Sequence, residues 1–284
     1  VKVSEYIKNE EALYLYQNET KFLKAKTTNE LRQKNGVRIK TLSKTKILDL
    51  EPNLAPVFYN GQIFVGSRHT TNPFMISKRI FETFINNGGE FIQSHVDDLI
   101  AEDGSVDIKL NNNNHKFEKV IICAGAWSNN LSKKIGESFP LDTERGYHVM
   151  FNNHGLINRP VGWSQSGFYL VQLEEGLRAA GTVEIAGLSK PENKKRIQMI
   201  ESQARRLLPE LNEVKSTWLG FRPTLPDSLP VIGPSKKNKN IIYAFGHQHI
   251  GWTLGAVTGK IINSICNDRV PNINIEPFSP SRFN

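Results

Sequence analysis

Apolar and polar positions follow two different periods along this chain, and the switch between them divides it. Over Asn72–Asn87, apolar residues recur at Ile76, Ile80, Phe84 and Ile85, which is one face of a helix. Asn72 stands at the N-cap, Pro73 at the first helical position, and Gly88-Gly89 stops the run. EFIQSHVDDLIAE then predicts a strand. SVDIKL, NNNNHK at Asn111–Asn114 and beyond, and FEKVIICAGAWS predict a hairpin feeding a buried strand. Helix, glycine pair, strand, hairpin and buried strand is the order in the second half of a doubly wound nucleotide-binding unit.

Period two takes over in PLDTERGYHVMF and GFYLVQLEEGLRAAGTVEIAG, which predict long antiparallel strands of a second domain. A helix follows between Pro191 and Leu208, broken by Pro209, and Trp218 begins a return strand that delivers Arg222. Before Asn72 the pattern is less regular. A helix-like start gives way to a strand or hairpin alternating through Leu13, Leu15 and Phe22. A helix over Lys21–Gln33 ends at Asn35-Gly36, and a short helix is closed by Pro52. GQIFVGSRHTTNP reads as strand then loop, with His69 a surface loop residue.

The last fifth carries the chemistry. Arg222 sits between Phe221 and Pro223, in a segment too proline-rich for helix or central strand. Asn240–Phe245 predicts a buried strand. Gly246-His247-Gln248-His249-Ile250-Gly251-Trp252-Thr253 then turns into a helix of small and apolar residues. Strand, glycine-bearing turn and helix start make a cradle of backbone N–H groups at a positive dipole end, suited to an anionic or acceptor-rich ligand. At the end of the other buried strand, Ala124-Gly125 leaves room for the same kind of approach. Cys123, flanked by apolar residues, reads as core filler.

Composition adds limits. With 284 residues, 38% hydrophobic and 23% charged, the chain can bury a sizeable core as one large or two interleaved domains. No apolar run approaches the roughly 20 residues that cross a bilayer. Two cysteines make no disulfide framework and suggest a reducing compartment. The net charge of +8 is spread over a Lys/Asn-rich chain without a basic block, which favours anionic small substrates over nucleic acid. No Ser/His/Asp order, H-E-x-x-H, C-x-x-C or zinc-spaced histidine cluster is present, so no metal is expected.

GFRPTLPD, IIYAF and GHQHIGWT stand in the order G-x-R-P-x-x-P-D, buried strand, G-H-x-x-x-G-x-T, and VIICAGAWS lies upstream. With these segments the chain resembles the FAD-dependent D-amino acid oxidase superfamily, most closely its D-amino acid dehydrogenase group of small-subunit type. The resemblance covers nearly the whole chain.

It implies an α/β fold, α+β overall: a Rossmann-like doubly wound FAD domain interleaved with a mixed, largely antiparallel substrate domain. The family's opening G-x-G-x-x-G is absent, so the chain is expected to be an N-terminally truncated fragment. The substrate domain is expected from 1–70 and 136–225, the FAD domain from 71–135 and 226–284. Cofactor contacts carry over to Val96, Ala124, Gly125, Trp127, Gly246, His247, Gly251, Trp252 and Thr253.

Arg222 matches the family's carboxylate-binding arginine, and Tyr169 the tyrosine over the substrate. Tyr147 and His148 face opposite sides of a strand, so one of them could line the pocket. The sarcosine branch places a cysteine bonded to FAD beside the position of Arg222. Phe221 and Pro223 stand there here, so FAD is expected to be non-covalent.

The implied reaction is oxidative deamination of D-amino acids to 2-oxo acids and ammonia, by hydride transfer to the flavin. The implied setting is cytoplasmic, or the inner face of the cell membrane, with a quinone or another carrier as electron acceptor. A glycine, sarcosine or imino-acid oxidase of the same fold stays open, and so does a truncated domain that cannot hold FAD.

Overall fold

A computed structural model describes residues 1–111, 113–164 and 167–283. In chain order the first elements are β1 (Ile7–Lys8), β2 (Leu13–Tyr16), α1 (Glu19–Lys24), α2 (Lys26–Lys34), β3 (Ile39–Ser43) and α3 (Lys44–Leu50). Next come β4 (Asn60–Phe64), β5 (His69–Thr70), α4 (Pro73–Asn86), β6 (Val96–Glu102), β7 (Ser105–Leu110), β8 (Asn113–Phe117), β9 (Val120–Ile122) and α5 (Ser128–Ser132). The rest are β10 (Asp142–Phe151), β11 (Val161–Trp163), β12 (Phe168–Leu173), β13 (Gly176–Ile185), α6 (Lys194–Leu207), β14 (Val214–Thr224), β15 (Val231–Pro234), β16 (Ile241–Phe245) and α7 (Gly251–Cys266).

The chain divides into two compact units. One holds residues 1–91, 146–183 and 191–219, the other 92–145, 184–190 and 220–284. The first unit is built on a mixed sheet ordered β14-β10-β13-β12-β11-β2-β4-β3. β11 lies parallel to β2 and antiparallel to β12. The alternation read in the sequence sends Leu13, Leu15, Tyr147, Val149, Phe168, Leu170, Leu177 and Ala179 to one face, where Ile200, Ala204 and Leu207 of α6 close the core. Asn193 caps α6 by accepting from the Lys195 N–H at 3.2 Å.

The second unit holds two three-stranded sheets, β15-β16-β9 and β6-β7-β8. IIYAF and VIICAG pair in parallel, Ile241 with Val120 and Tyr243 with Ile122, as the two buried apolar runs predict. Glu137 is buried beneath them. It accepts hydrogen bonds from the Tyr243 hydroxyl at 2.6 Å, from the Lys236 N–H at 3.0 Å and from Ser235, so its oxygens are satisfied without a cation.

Several local expectations change. The first residues form a 3-10 turn at Ser4–Tyr6 and the short β1 rather than a helix. Phe22 belongs to α1, because Asn18 caps a helix there by accepting from the Lys21 N–H at 2.9 Å. The helix expected over Lys21–Gln33 breaks at Ala25 into α1 and α2. His69 is no surface loop residue: it pairs with Lys8 in β5, half-buried, its Nδ1 3.1 Å from the Glu10 carbonyl. The return strand starts at Val214, four residues before Trp218, and tolerates Pro223 because β14 is a sheet edge. Of the apolar face of α4 only Ile76 is buried; Ile80 and Phe84 are half exposed. Asn111–Asn114 includes Asn112, which lies outside the described residues; Asn113 and Asn114 are already in β8.

Candidate functional site

Within the second unit, β9 and β16 run parallel and so end on the same side. Past β9 the chain makes a 3-10 turn through Gly125–Trp127; past β16 it turns at Gly246 and enters α7. Between them lies a cleft of about 470 Å³, lined by Gly125, Gly246, His247, Gly251 and, one and two turns along α7, Gly255 and Gly259. Five glycines share its wall with apolar residues such as Ile121, Ala244, Phe245 and Ile262, so a flat ligand can come close to the backbone at the glycines. No side chain caps the N-terminus of α7, which leaves its positive end directed at what binds there.

Glycine is required at position 246. Its φ is +88°, and a Cβ there would stand 2.5 Å from Leu225 Cδ1, in a core where Leu225 is 1% exposed. The turn is tied to the arginine segment, since the Gln248 N–H donates to the Pro223 carbonyl at 3.0 Å. It is tied to the helix as well: His247 Nε2 lies 3.0 Å from Thr258 Oγ1, and burial holds the His247 ring below its ordinary pKa, hence neutral. His249 is half exposed, and its Nε2 is 2.7 Å from Glu144 Oε2.

Arg222 is half-buried near this turn. Burial lowers its pKa, the Glu144 charge partly offsets that, and its Nη1 is buried with no hydrogen-bond partner among the described residues. On the other face of β14, the Phe221 ring meets the half-exposed Trp127 edge-on, with centroids 5.5 Å apart. A half-buried guanidinium whose Nη1 has no acceptor among the described residues is suited to a carboxylate.

The structure therefore gathers Gly125, Gly246, His247 and Gly251 around one cleft, with Ala124 and Trp127 on the turn beside Gly125, and Trp252 and Thr253 exposed on the first turn of α7. Val96 stands apart: it opens β6, in the other three-stranded sheet, and packs on the core. Cys123, expected as core filler, is exposed and lines the cleft, just past the end of β9, an outer strand of its sheet.

The remaining candidates belong to the first unit. Tyr147 is 1% exposed in the core, its hydroxyl accepting from the Asn193 N–H at 3.2 Å. His148 takes the opposite face, stacked on Trp218 at 5.2 Å, its pKa brought down to about 4 by burial and the Arg178 charge. Tyr169 is 41% exposed on that face, with burial and the Tyr14 hydroxyl pushing its own hydroxyl up to about 12. Sequence reasoning passed over Tyr14, whose ring centroid is 5.8 Å from that of Tyr169. The alternation Leu13-Tyr14-Leu15 was the available signal.

Comparison with known proteins gives these features a family. The model of the DAO family, FAD dependent oxidoreductase, matches residues 6–265. A D-amino-acid oxidase of Bradyrhizobium diazoefficiens is 32% identical over 261 residues, covering 89% of this chain and 62% of that protein. A D-amino acid dehydrogenase of Paramagnetospirillum magneticum is 26% identical over 289 residues, covering 95% of this chain and 66% of that protein. The chain thus spans a little over three fifths of the length of these curated relatives. Glycine oxidase from Geobacillus kaustophilus superposes with a TM-score of 0.88 at 20% identity, over 97% of this chain and 75% of that one, which establishes the fold.

Proposed function

Because this chain belongs to the DAO family of FAD-dependent oxidoreductases, we propose that the protein it is part of oxidises D-amino acids to 2-oxo acids and ammonia. In this reading 71–135 and 226–284 form the FAD-binding domain, and 1–70 and 136–225 the substrate domain. The observation that carries it is Arg222: a half-buried guanidinium whose Nη1 has no acceptor among the described residues, one peptide from the carbonyl that fixes the turn of the cofactor cleft.

The residues of the cleft fit FAD. The glycines at 125, 246 and 251 admit a ligand against the backbone, and the uncapped start of α7 suits its acceptor atoms. Bound there, FAD supplies a two-electron acceptor for the hydride that leaves the substrate Cα. The protein's own part is orientation and charge. Arg222 pairs the substrate carboxylate with both prongs of its fork. His247 stays neutral and holds the turn against α7 through Thr258. Tyr169, in the first unit, keeps its hydroxyl protonated at neutral pH. The substrate loses a hydride from Cα and a proton from nitrogen, and water then splits the imine into 2-oxo acid and ammonium. Phe221 and Pro223 flank Arg222 where a covalent flavin would need a cysteine, so the cofactor is non-covalent.

The test uses the protein expressed from its complete reading frame. Acid precipitation should leave yellow flavin in the supernatant, and incubation with D-alanine should yield pyruvate and ammonium in equal amounts. Flavin that stays in the pellet contradicts the non-covalent link. A flavin-loaded protein that yields no 2-oxo acid from any D-amino acid contradicts the activity.

A further inference from the structure

Within the second unit, Arg222 stands beside an ion pair that the hydride step leaves unused. Arg222 lies on β14 and Glu144 on the neighbouring strand β10. Alternation sorts this stretch into two faces. Arg145 and Phe221 share one, where the guanidinium lies 5.8 Å from the ring centroid and pairs with Glu184 at 3.6 Å. Arg222 and Glu144 share the other. The Glu144 charge favours the Arg222 guanidinium, yet Arg222 Nη1 has no partner among the described residues. The Glu144 carboxylate is engaged by His249 instead, whose Nε2 is 2.7 Å from Glu144 Oε2. The Glu144 side chain is 23% exposed and the His249 ring 48%, so the carboxylate is partly desolvated while water can exchange protons with the ring.

The turn holds His249 in this place. Gln248, just before it, adopts φ +50° and donates its N–H to the Pro223 carbonyl at 3.0 Å. The other histidine of the turn, His247, is directed at α7, its Nε2 3.0 Å from Thr258 Oγ1. With the His249 ring neutral, Arg222 and Glu144 cancel, and an entering carboxylate leaves one surplus negative charge close to Glu144. With a proton on the ring, the four charges cancel. Like charges in a partly dry setting oppose each other, an adjacent cation relieves them, and imidazole exchanges its proton near neutral pH.

Resting on the reading above, in which Arg222 takes the substrate carboxylate, we propose that Glu144 and His249 are positioning residues that couple this carboxylate to a proton. An anion bound at Arg222 draws a proton onto the His249 ring, and the proton leaves with the anion. The pair has no part in the hydride step; it sets the pH range over which carboxylates bind.

The test titrates the complete, FAD-loaded protein with propionate, which is D-alanine without its amino group, from pH 6 to pH 8.5, and follows the flavin spectrum. The Kd should rise roughly threefold to thirtyfold over this range, because binding takes up a fraction of a proton. Calorimetry near pH 7, in two buffers with different ionisation heats, should register that uptake. Glu144→Gln keeps an acceptor for the ring and removes the like charge. It should bind propionate at pH 8.5 at least threefold more tightly than wild type, with the pH dependence gone. His249→Gln keeps a donor to Glu144 but takes up no proton, so its Kd should stay at the wild type's high-pH value throughout. A wild-type Kd that is flat with pH, or a pH dependence that survives in both variants, overturns the proposal. Arg222→Ala separates it from the reading it rests on. If Arg222→Ala weakens propionate at least tenfold while wild-type binding is flat with pH, the proton coupling falls alone. If no D-amino acid is oxidised but propionate binding depends on pH in wild type and in neither Gln variant, the coupling stands and the activity falls.

Discussion

Replacing Arg222 by alanine should separate stability from activity, with magnitudes that follow from its surroundings. The guanidinium is half-buried, its Nη1 has no acceptor, and burial lowers its pKa with only the Glu144 charge in opposition. Removing it therefore breaks no hydrogen bond seen among the described residues. The desolvation it relieves and the side-chain packing it loses offset each other, so stability should move by no more than about 1 kcal/mol. Activity should respond far more. A substrate carboxylate left unpaired in a partly dry pocket costs roughly 2–5 kcal/mol. At about 1.4 kcal/mol per decade, kcat/KM for a D-amino acid should drop by roughly one and a half to three and a half orders of magnitude. Arg222→Lys should recover part, since an ammonium cannot make the two-pronged contact. The decarboxylated amine of the same substrate, having no carboxylate to lose, should be nearly indifferent to both changes. The assay is steady-state kinetics on both substrates, with urea midpoints and flavin content for all three proteins. A loss below tenfold on the amino acid at normal flavin content would make Arg222 a surface residue, and a large drop in the urea midpoint would make it structural.

Gly246→Ala should destabilise the second unit by roughly 2–5 kcal/mol and lower flavin occupancy, because a Cβ at φ +88° is strained and meets Leu225; urea melts and flavin absorbance check this. His148 is held neutral in the fold at about 4 against 6.5 in the unfolded chain. Its depressed pKa therefore contributes stability that is complete above pH 6.5 and is lost as pH falls towards 4. His148→Gln should flatten urea midpoints measured between pH 7 and pH 4.5, and an unchanged slope would show that the ring is not desolvated. Asn72→Ala removes the acceptor for the Met75 N–H at 3.0 Å and a bond to Glu174 at 2.8 Å. It should cost about 1 kcal/mol by thermal melting.

The sequence was most readable where a single local force decides the outcome. Asn72 and Pro73 start α4, and β16 and β9 come out as the two uninterrupted apolar runs. The Gly246–Thr253 turn was legible because glycine, histidine and an uncapped helix start follow one another in the chain. Where neighbours in space decide, the sequence was silent. Tyr147 and His148 differ by one residue and carry equal promise in the string; only sheet register sends the first to the core and the second to the open face. Cys123 has apolar neighbours in sequence but sits at the end of an outer strand. The Tyr14–Tyr169 ring pair follows only from pairings across β2, β11 and β12, which no local motif encodes.

If this chain's cleft and arginine serve an FAD enzyme that oxidises D-amino acids, the flavin itself reports it. The most direct measurement mixes the complete, FAD-loaded protein, free of oxygen, with D-alanine and separately with L-alanine, and follows the flavin absorbance. The flavin should bleach to its reduced form with the D-enantiomer and change far more slowly, or not at all, with the L-enantiomer. Flavin that stays oxidised with D-alanine and every other D-amino acid, or that is bleached faster by the L-form, would contradict it.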